Sequence, residues 1–379
     1  MNVNVIGAGV FGAWCAWFLA ARGHRVTLLE AYGPANPRSS SSDHSRVIRC
    51  GYGADVIYSR WAREALDDWR WLSGETHREL MVISGVLFMG AAEDHYIRAT
   101  HDTLSRLGIP HEWLEGSDVS RRYRQIDPRG VAAAVPEPEA GVIRARAAVQ
   151  ALVALMRERR LVTYRVDRAV PPDETRAQPE WRLTSGERLE ADVTICACGP
   201  WLAALFPLAI GARVRPTRQE VLHYGVPAGT DAFSLERLPV WIDFTAGVYG
   251  IPDFDARGFK IGIDRHGTPV DPDTEDRLID PSLVTKTRDW MGTRFPALRN
   301  APFLDGHVCQ YENTSSGDFI IDRHPQWPHV WIVGGGSGHG FKHGPSVGRY
   351  VAAVVSGETS IEDRFSLRSK ATHAARAVY

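Results

Sequence analysis

The chain has 379 residues and a formal net charge of −1, with 44% hydrophobic and 23% charged residues. At about 100–200 residues per domain, this length predicts two or three domains with a sizeable core. The composition is that of an ordinary globular protein and excludes a disordered tail, a collagen and a coiled coil. A nearly neutral chain creates no net field that would gather nucleic acid or anionic lipid, so we predict neither as a partner.

Cysteine usage favours a reducing compartment. An odd number of scattered cysteines is more typical of the cytoplasm than of a disulfide framework. The cysteines are Cys15, Cys50, Cys196, Cys198 and Cys309, and no two of them have the Cys-x-x-Cys spacing of a zinc ribbon. We therefore predict a cytoplasmic protein without a metal. Residues 13–21 are apolar, but no basic segment precedes them, so we expect a folded helix rather than a signal peptide or a membrane span.

The predicted elements begin with a strand over residues 3–6, a helix over 13–22 and a second strand over 25–29. Residues 33–45 are rich in Ser, Pro and Asn and predict a loop. Apolar residues at helical spacing predict a helix over 56–72, and a looser alternation predicts one strand over 82–89.

The rest of the chain contains more β-like runs than helices. We predict helices over 145–157 and 345–356, strands over 161–166, 193–197, 240–244, 259–263 and 330–333, and a hairpin around Ser185-Gly186. No linker separates consecutive units, so we expect the domains to be interleaved along the chain.

A glycine fingerprint follows the first strand. Gly7, Gly9 and Gly12 form a Gly-x-Gly-x-x-Gly motif that leads into the first helix. Such glycines permit a tight turn, close approach of a pyrophosphate and close helix–strand packing. Glu30 ends the second strand, where an acid accepts hydrogen bonds from the ribose hydroxyls and disfavours a 2′-phosphate. The motif predicts FAD or NAD binding; the alternative is a turn whose glycines serve packing only.

A second glycine-rich turn favours FAD over NAD. Residues 334–340 read Gly-Gly-Gly-Ser-Gly-His-Gly between a late strand and a helix. Such a turn can aim backbone N–H groups at an anion, as a reduced flavin requires. The alternative is a flexible surface loop.

Six motifs in one order carry a family resemblance. They lie at residues 7–30, 45–53, 198–201, 258–262, 309–322 and 338–342. With them the chain resembles the D-amino-acid-oxidase-like FAD oxidoreductases, and within these the branch of monomeric sarcosine oxidase and N-methyltryptophan oxidase. The resemblance implies an α/β (α+β) fold, in which a Rossmann-type FAD-binding domain accompanies a catalytic domain on a mostly antiparallel sheet. It assigns residues 1–85, 143–213 and 312–379 to the first and residues 86–142 and 214–311 to the second.

The resemblance also implies an activity. It predicts an FAD-dependent amine oxidase, a monomer, that acts on the C–N bond of an amino or imino acid, either a secondary amine or a cyclic imine carboxylate. Hydride passes to flavin N5, and oxygen is reduced to hydrogen peroxide. Two alternatives stay open: a dehydrogenase that passes electrons to a protein or quinone, and a flavin-binding protein without catalysis.

The family's cofactor contacts map onto both glycine-rich turns and onto one cysteine. The implied FAD-binding residues are Gly7, Gly9, Val10, Phe11, Gly12, Glu30, Ser45, Arg46, Val166, Cys309, Gly338, His339, Gly340, Phe341 and Lys342. Cys309 holds the position that bonds the flavin 8α-methyl in this branch. Since a thiolate near an electrophilic methyl suffices for a thioether, we predict covalent FAD; the alternative is a small buried hydrophobe.

The family's substrate contacts map onto two cations and two tyrosines. Arg49 and Lys342 match the pair that binds the substrate carboxylate, and Tyr249 and Tyr311 match pocket aromatics. A surface ion pair and core tyrosines are the alternatives.

Two further cations match positions at the flavin ring. Arg46 matches the arginine beside the ring, and Lys260 matches the lysine that activates oxygen. The alternative for Lys260 is a strand lysine that reaches solvent.

Three positions depart from the branch and point away from sarcosine itself. Ser41 and Ser42 stand where the sarcosine oxidases have histidines, and so does Asp264. An acid at position 264 resembles the imino-acid oxidase of the nikkomycin pathway. Asp264 holds a substrate nitrogen, acts as a base or is a plain turn acid. His44 replaces an acid of the branch and has no predicted role.

Overall fold

The structure is a computed structural model that describes residues 1–265 and 267–372. Residues 373–379 of the predicted segment 312–379 lie outside the described residues, as does His266. Within the described residues the α-helices are α1 (Val10–Ala21), α2 (Val56–Glu75), α3 (His95–Arg106), α4 (Gly116–Arg122), α5 (Ala145–Glu158), α6 (Leu202–Leu205), α7 (Pro281–Arg294) and α8 (Gly344–Val355).

The strands fall into four sheets. In chain order they are β1 (Asn2–Ile6), β2 (Arg25–Glu30), β3 (Ser45–Ile48), β4 (Met81–Ile83), β5 (Val86–Gly90), β6 (Leu114–Glu115), β7 (Ala133–Glu137), β8 (Gly141–Arg144), β9 (Val162–Val166), β10 (Ala169–Val170), β11 (Arg182–Leu183), β12 (Val193–Cys196), β13 (Val214–Tyr224), β14 (Val240–Asp243), β15 (Val248–Ile251), β16 (Phe259–Ile263), β17 (Phe303–Thr314), β18 (Ile320–Arg323) and β19 (Val330–Gly334).

A six-stranded sheet carries the N-terminal β1–α1–β2 unit. Its order is β18-β19-β12-β1-β2-β9, and only β18 runs antiparallel to its neighbour. Most residues of the central strands are buried, including the polar Asn4 and Thr194, as expected for parallel strands that are covered on both faces. One core cluster joins this sheet to α1, α2, α5 and α8. This is the predicted Rossmann-type arrangement.

An eight-stranded sheet forms the second layer. Its order is β17-β13-β16-β15-β14-β5-β7-β6, and every pair is antiparallel except β14 with β5. A second core cluster lies between this sheet and α7, with Trp241 and Phe295 among its large buried rings. The mixed α/β fold with a mostly antiparallel second sheet is therefore confirmed.

A three-stranded sheet, β3-β8-β4, lies at the boundary of these two layers and carries Arg46. Each limit of the predicted domain ranges is a point where the chain is expected to pass from one of these two layers to the other. The six-stranded sheet takes its strands from residues 2–30, 162–196 and 320–334. The exact ranges stay a prediction.

One local prediction was wrong, and a predicted hairpin was confirmed. Residues 82–89 form two strands in different sheets, β4 and β5, because the chain turns at Gly85 with a φ of +73°. The turn at Ser185-Gly186 does form, with Gly186 N–H donating to Leu183 O at 2.9 Å. The hairpin is confirmed, because Arg182 and Arg188 form an antiparallel bridge and Leu189 N–H donates to Trp181 O at 3.0 Å. In addition, β11 pairs with β10 on its other side.

The sequence did not predict α3, α4 or α7, because few apolar residues mark the buried face of each of these helices. In the described part of the chain, no helix is both long and apolar enough to cross a membrane. Over the same residues no three His, Cys, Asp or Glu side chains are placed to hold a metal ion.

Candidate active site

A large cleft opens beside the glycine fingerprint. Residues from β1, β2, β17 and the turn after β19 line it, including Gly7, Gly9, Glu30, Arg168, Cys198, Cys309, Tyr311, Gly336 and Phe341. The carboxyl ends of the parallel strands β1, β2 and β12 meet there, which is the usual ligand-binding edge of such a sheet. We call this cavity the large cleft.

The three glycines of the fingerprint do different work. Gly7 has a φ of +105°, and a Cβ there would collide with the Ala197 carbonyl. A Cβ on Gly12 would collide with the Gly7 carbonyl oxygen. A Cβ on Gly9 would meet only Ser41 Oγ, at 3.5 Å. Gly7 and Gly12 are therefore required by the protein itself, whereas Gly9 leaves room that a ligand can use.

Glu30 ends β2 and is buried against the same turn. Its carboxylate accepts hydrogen bonds from Ala8 N–H at 2.7 Å and Tyr32 N–H at 3.1 Å. Burial raises the pKa of this carboxyl, while those backbone N–H groups lower it. With the N-terminus of α1 behind Gly9, these groups fit the ribose and pyrophosphate of a dinucleotide.

The second glycine-rich turn closes the other side of the large cleft. Gly338 has a φ of +82°, and a Cβ on it would overlap the Tyr311 ring. Glu312 accepts from Gly336 N–H at 3.3 Å, and Ser337 N–H donates to Glu312 O at 3.1 Å. The turn is thus tied to β17 rather than being a flexible surface loop.

A smaller cavity, which we call the small pocket, adjoins the large cleft. Arg49, Phe244, Tyr249, Asp264, His339 and Lys342 line it. The two cavities share the walls Arg46, Cys309, Tyr311, Ser337, Gly338 and Phe341. A cofactor in the large cleft would therefore present one end to the small pocket at Cys309.

Arg46 and Cys309 are in direct contact at this junction. Arg46 Nη2 donates to Cys309 Sγ at 3.2 Å and to Ser40 O at 3.1 Å. Its Nη1 donates to Asp43 Oδ2 and to Ser45 O. Reactive cysteines lie beside cationic side chains of this kind, and this contact singles out Cys309 among the five cysteines.

Lys260 is buried, with 3% of its surface exposed, and it does not reach solvent. Its Nζ donates to Asp43 Oδ2 at 2.5 Å, to Ser45 O at 2.9 Å and to Ser45 Oγ at 3.2 Å. The ammonium thus contacts the same carboxylate oxygen of Asp43 as Arg46 does. Lys260 is not among the described residues that line either cavity.

Arg49 and Lys342 lie together in the small pocket. The Arg49 guanidinium lies 4.4 Å from the centre of the Tyr52 ring and donates to Gly51 O. Lys342 Nζ donates to Tyr52 Oη at 2.8 Å and to His339 O at 2.9 Å. Burial lowers the pKa of Lys342 well below its usual range, and Arg49 lowers it further. Two buried cations with neutral hydrogen-bond acceptors form a site for an anion.

Asp264 lies at the end of β16 and faces these cations. Tyr311 Oη donates to its Oδ1 at 3.5 Å. Burial raises the pKa of Asp264 to about 7, although Arg49 and Lys342 lower it. The carboxyl therefore titrates near neutral pH. Tyr249, opposite Gly262 in the ladder, lines the same pocket.

Several predicted residues lie away from the cavities. Val166 ends β9 with 62% of its surface exposed, and the cleft is lined instead by the next residues, Asp167 to Ala169. Ser45 contacts Lys260 rather than a cavity.

Ser41 and Ser42, two of the departures, and His44 also have defined partners. Ser41 Oγ accepts from Val10 N–H at 3.1 Å, and Ser42 Oγ lies 3.1 Å from His307 Nε2. His44 is paired with Asp255 at 2.8 Å.

Sequence reasoning missed Asp43, Tyr52 and Glu312. Asp43 lies in the predicted loop, and nothing in its neighbours signals that both Lys260 and Arg46 converge on it. Tyr52 belongs to a quoted motif, but its contact with Lys342 is 290 positions distant. Burial raises the pKa of Glu312 to about 7, and its Oε2 has no hydrogen-bond partner among the described residues. A buried oxygen of this kind on the cleft wall fits a cofactor hydroxyl.

The Rossmann-type sheet, its fingerprint and a second cavity at the cofactor end are the features of a dinucleotide-dependent oxidoreductase. Residues 2–354 match the family described as FAD dependent oxidoreductase, and the chain belongs to this family. The prediction of an FAD-dependent oxidoreductase is therefore confirmed.

Named relatives agree with the predicted branch. The chain is 29% identical over 360 residues to monomeric sarcosine oxidase of Streptomyces avermitilis, with 93% of each chain covered. Its fold is similar to that of L-proline dehydrogenase from P. horikoshii, with a TM-score of 0.83, 20% identity and coverage of 97% of this chain and 96% of that one. It is also similar to the open form of an amino acid oxidase essential for nikkomycin biosynthesis, with a TM-score of 0.76, 23% identity and 96% of each chain covered.

Proposed function

We propose that the protein oxidises the C–N bond of an amino or imino acid, a secondary amine or a cyclic imine carboxylate, with oxygen as the electron acceptor. The observation that carries this proposal is the small pocket, where Arg49 and Lys342 lie on the same cavity as Cys309 and Arg46. Bound FAD supplies the two-electron acceptor and passes the electrons to oxygen, giving hydrogen peroxide. The protein's own residues bind, orient and exchange protons.

The cationic pair selects the substrate. Arg49 presents a planar fork to a carboxylate, and Lys342 adds a point charge. Since burial disfavours two unpaired cations, a carboxylate that enters gains more here than at the surface. Fixing this group orients the reacting C–H bond toward the Cys309 end of the large cleft.

Asp264 defines the other end of the substrate. With a pKa raised by burial to about 7, it can accept a hydrogen bond or a proton from the substrate nitrogen. An amine carboxylate would thus lie with its carboxylate on Arg49 and Lys342 and its nitrogen on Asp264. Tyr249 and Tyr311 form the walls between.

Cys309 provides a covalent tether in this proposal. Its Sγ lies on the wall shared by both cavities, 3.2 Å from Arg46 Nη2. The other four cysteines are Cys15, Cys50, Cys196 and Cys198. Burial raises the pKa of each of those thiols. They are poor candidates for a thiolate.

Acid precipitation of the purified protein tests the tether. We expect a yellow pellet from the wild type, and flavin in the supernatant from Cys309→Ser. Cys198→Ser is the matched control, since Cys198 lines the same cleft, and it should keep the yellow pellet. Freely extracted flavin from the wild type would contradict the covalent link.

A peroxide assay over a panel of N-alkyl amino acids and cyclic imino acids tests the activity. Each substrate is paired with the same amine lacking its carboxylate, and the carboxylates should yield hydrogen peroxide with a much higher kcat/KM than their partners. If none of them reduces the flavin under anaerobic conditions, the amine oxidase proposal fails.

A dehydrogenase is the second candidate, because Lys260, which matches the oxygen-activating lysine, is not among the described residues that line the large cleft or the small pocket. Admission of air after anaerobic reduction separates the two. An oxidase regains its yellow colour quickly, whereas a dehydrogenase stays reduced until a quinone or protein acceptor is added. We also propose that the protein is a monomer and that it acts in the cytoplasm.

A further inference from the structure

We propose that Asp43 is a positioning residue for the oxygen reaction, because its carboxylate keeps the Lys260 ammonium charged and fixed against Ser45. This inference rests on the proposed function, with oxygen as the electron acceptor, and on the role that the family resemblance gives Lys260, which is a positive charge that activates oxygen. Asp43 is the residue that maintains the charge of Lys260 inside the protein.

The contacts of Lys260 define one geometry. An ammonium has three donors and no acceptor, and the structure gives Nζ three oxygens at 2.5, 2.9 and 3.2 Å. Two of these oxygens belong to Ser45 and are neutral. Asp43 Oδ2 is the charged one, and both Asp43 and Lys260 are buried, at 4% and 3% exposure. Such a pair is held in place because either partner alone would be a buried, uncompensated charge.

The same carboxylate serves two cations. Asp43 Oδ2 also accepts from Arg46 Nη1, which makes Asp43 the bridge between Lys260 and Arg46. Burial by itself would raise the pKa of the Asp43 carboxyl, but Lys260 and Arg46 hold that pKa well below its usual range. Asp43 is therefore ionised throughout the working pH range.

Other titratable groups near Lys260 do not replace Asp43. His223 lies opposite Lys260 in the β13–β16 ladder, and His307 faces it from β17. Burial lowers the pKa of His223 and of His307 to about 4, so both are neutral at pH 7. Cys309 also faces this group from β17. Without Asp43, Lys260 would share the interior with the fixed charge of Arg46.

The pKa of the Lys260 ammonium is set by burial and by these neighbours. Burial lowers the pKa of Lys260, Asp43 raises it, and Arg46 lowers it. Removing Asp43 therefore lets the ammonium lose its proton at a lower pH. Asp43→Asn keeps the shape and a hydrogen-bond acceptor but removes the charge, so it isolates this effect.

Lysine NMR measures the predicted charge directly. The chain has only four lysines, Lys260, Lys286, Lys342 and Lys370, so ¹³C-lysine labelling of the holoenzyme gives a spectrum that single variants assign. We expect the Lys260 midpoint to fall by about one pH unit or more in Asp43→Asn. Asp255→Asn is the control, since Asp255 pairs with His44 and Arg144 instead, and it should leave the midpoint unchanged.

The wild type carries its own comparison. Lys342 is also buried but donates to neutral oxygens, so Lys260 should titrate at a higher pH than Lys342. This measurement needs no Asp43 variant and holds even if Asp43→Asn fails to fold. Equal midpoints, or a lower one for Lys260, would overturn the proposal.

Reoxidation kinetics link the charge to the reaction. After photochemical reduction, which needs no substrate, air-saturated buffer is mixed in and the return of flavin absorbance is followed from pH 6 to 10. Oxygen takes up two electrons and two protons to become hydrogen peroxide. We expect Asp43→Asn to match the wild type at low pH and to fall below it by about tenfold at high pH, as a shift of one unit implies.

Lys260→Met separates the two possible failures. If Lys260→Met leaves the reoxidation rate unchanged, the assigned role of Lys260 in the proposed function is wrong. If Lys260→Met slows reoxidation but Asp43→Asn follows the wild-type pH profile, the role of Asp43 is wrong. In the double variant, Asp43→Asn should add nothing to Lys260→Met.

Discussion

The large cleft and the small pocket are neighbours that share a wall, yet they are built in different ways. The turn at Gly7–Gly12 and its acid Glu30 lie within one β1–α1–β2 unit, so one local segment forms the fingerprint side of the large cleft, which β17 and the turn after β19 complete. The small pocket instead takes Arg49 from the segment after β3, Asp264 from the end of β16 and Lys342 from the turn before α8. One side of the cofactor site is thus built from a single short segment of the chain. The substrate site instead depends on how segments that are far apart in the sequence come together.

The largest expected effect comes from the local unit. Gly12→Ala places a Cβ against the Gly7 carbonyl oxygen, and we expect it to lower the free energy of unfolding by about 3 kcal/mol, as overpacking does. Thermal unfolding measures this. Gly9→Ala is the matched control: its Cβ would meet only Ser41 Oγ at 3.5 Å, so the fold should survive.

In the Cys309→Ser background, where flavin binding is reversible, Gly9→Ala should weaken FAD binding by about tenfold or more. Unchanged flavin affinity would show that the cofactor does not approach the backbone at Gly9. Equal unfolding of both glycine variants would break the distinction between packing and cofactor contact.

The next effect tests the small pocket. Arg49→Met and Lys342→Met should each lower kcat/KM for a carboxylate substrate by about 10- to 100-fold, since a hydrogen bond to a charged group is worth about 1.5–3 kcal/mol. Steady-state kinetics with the same amine lacking its carboxylate is the control, and there the variants should match the wild type. Equal losses on both substrates would mean that these cations support the fold rather than the substrate.

The smallest effect is a pH dependence at Asp264. Because burial raises the pKa of Asp264 to about 7, its carboxylate form is populated as pH rises through that value. If this form accepts the substrate N–H, kcat/KM rises with pH through about 7 in the free enzyme. Asp264→Asn should flatten that limb and lower the plateau by about tenfold. A limb that persists in Asp264→Asn would assign it to another group.

The two cavities also differ in how far the sequence predicted them. The β1–α1–β2 unit and its glycines follow local rules, and their places in the structure agree with the sequence prediction. The contents of the small pocket came from family resemblance, and the structure brings Arg49, Lys342, Asp264, Tyr249 and Tyr311 to one cavity. Val166 shows the limit of such transfer: the strand end lies where expected, but its side chain faces solvent.

The sequence by itself determined the Rossmann-type unit and a dinucleotide as its ligand, because strand, turn, helix and acid are fixed by neighbours within thirty residues. Only the tertiary structure decided that Lys260 is held by Asp43, 217 positions away, and that Tyr52 holds Lys342. The physical reason is burial: inside the protein each charge must find a partner, and the sheets, not the local sequence, decide which distant side chains are within reach.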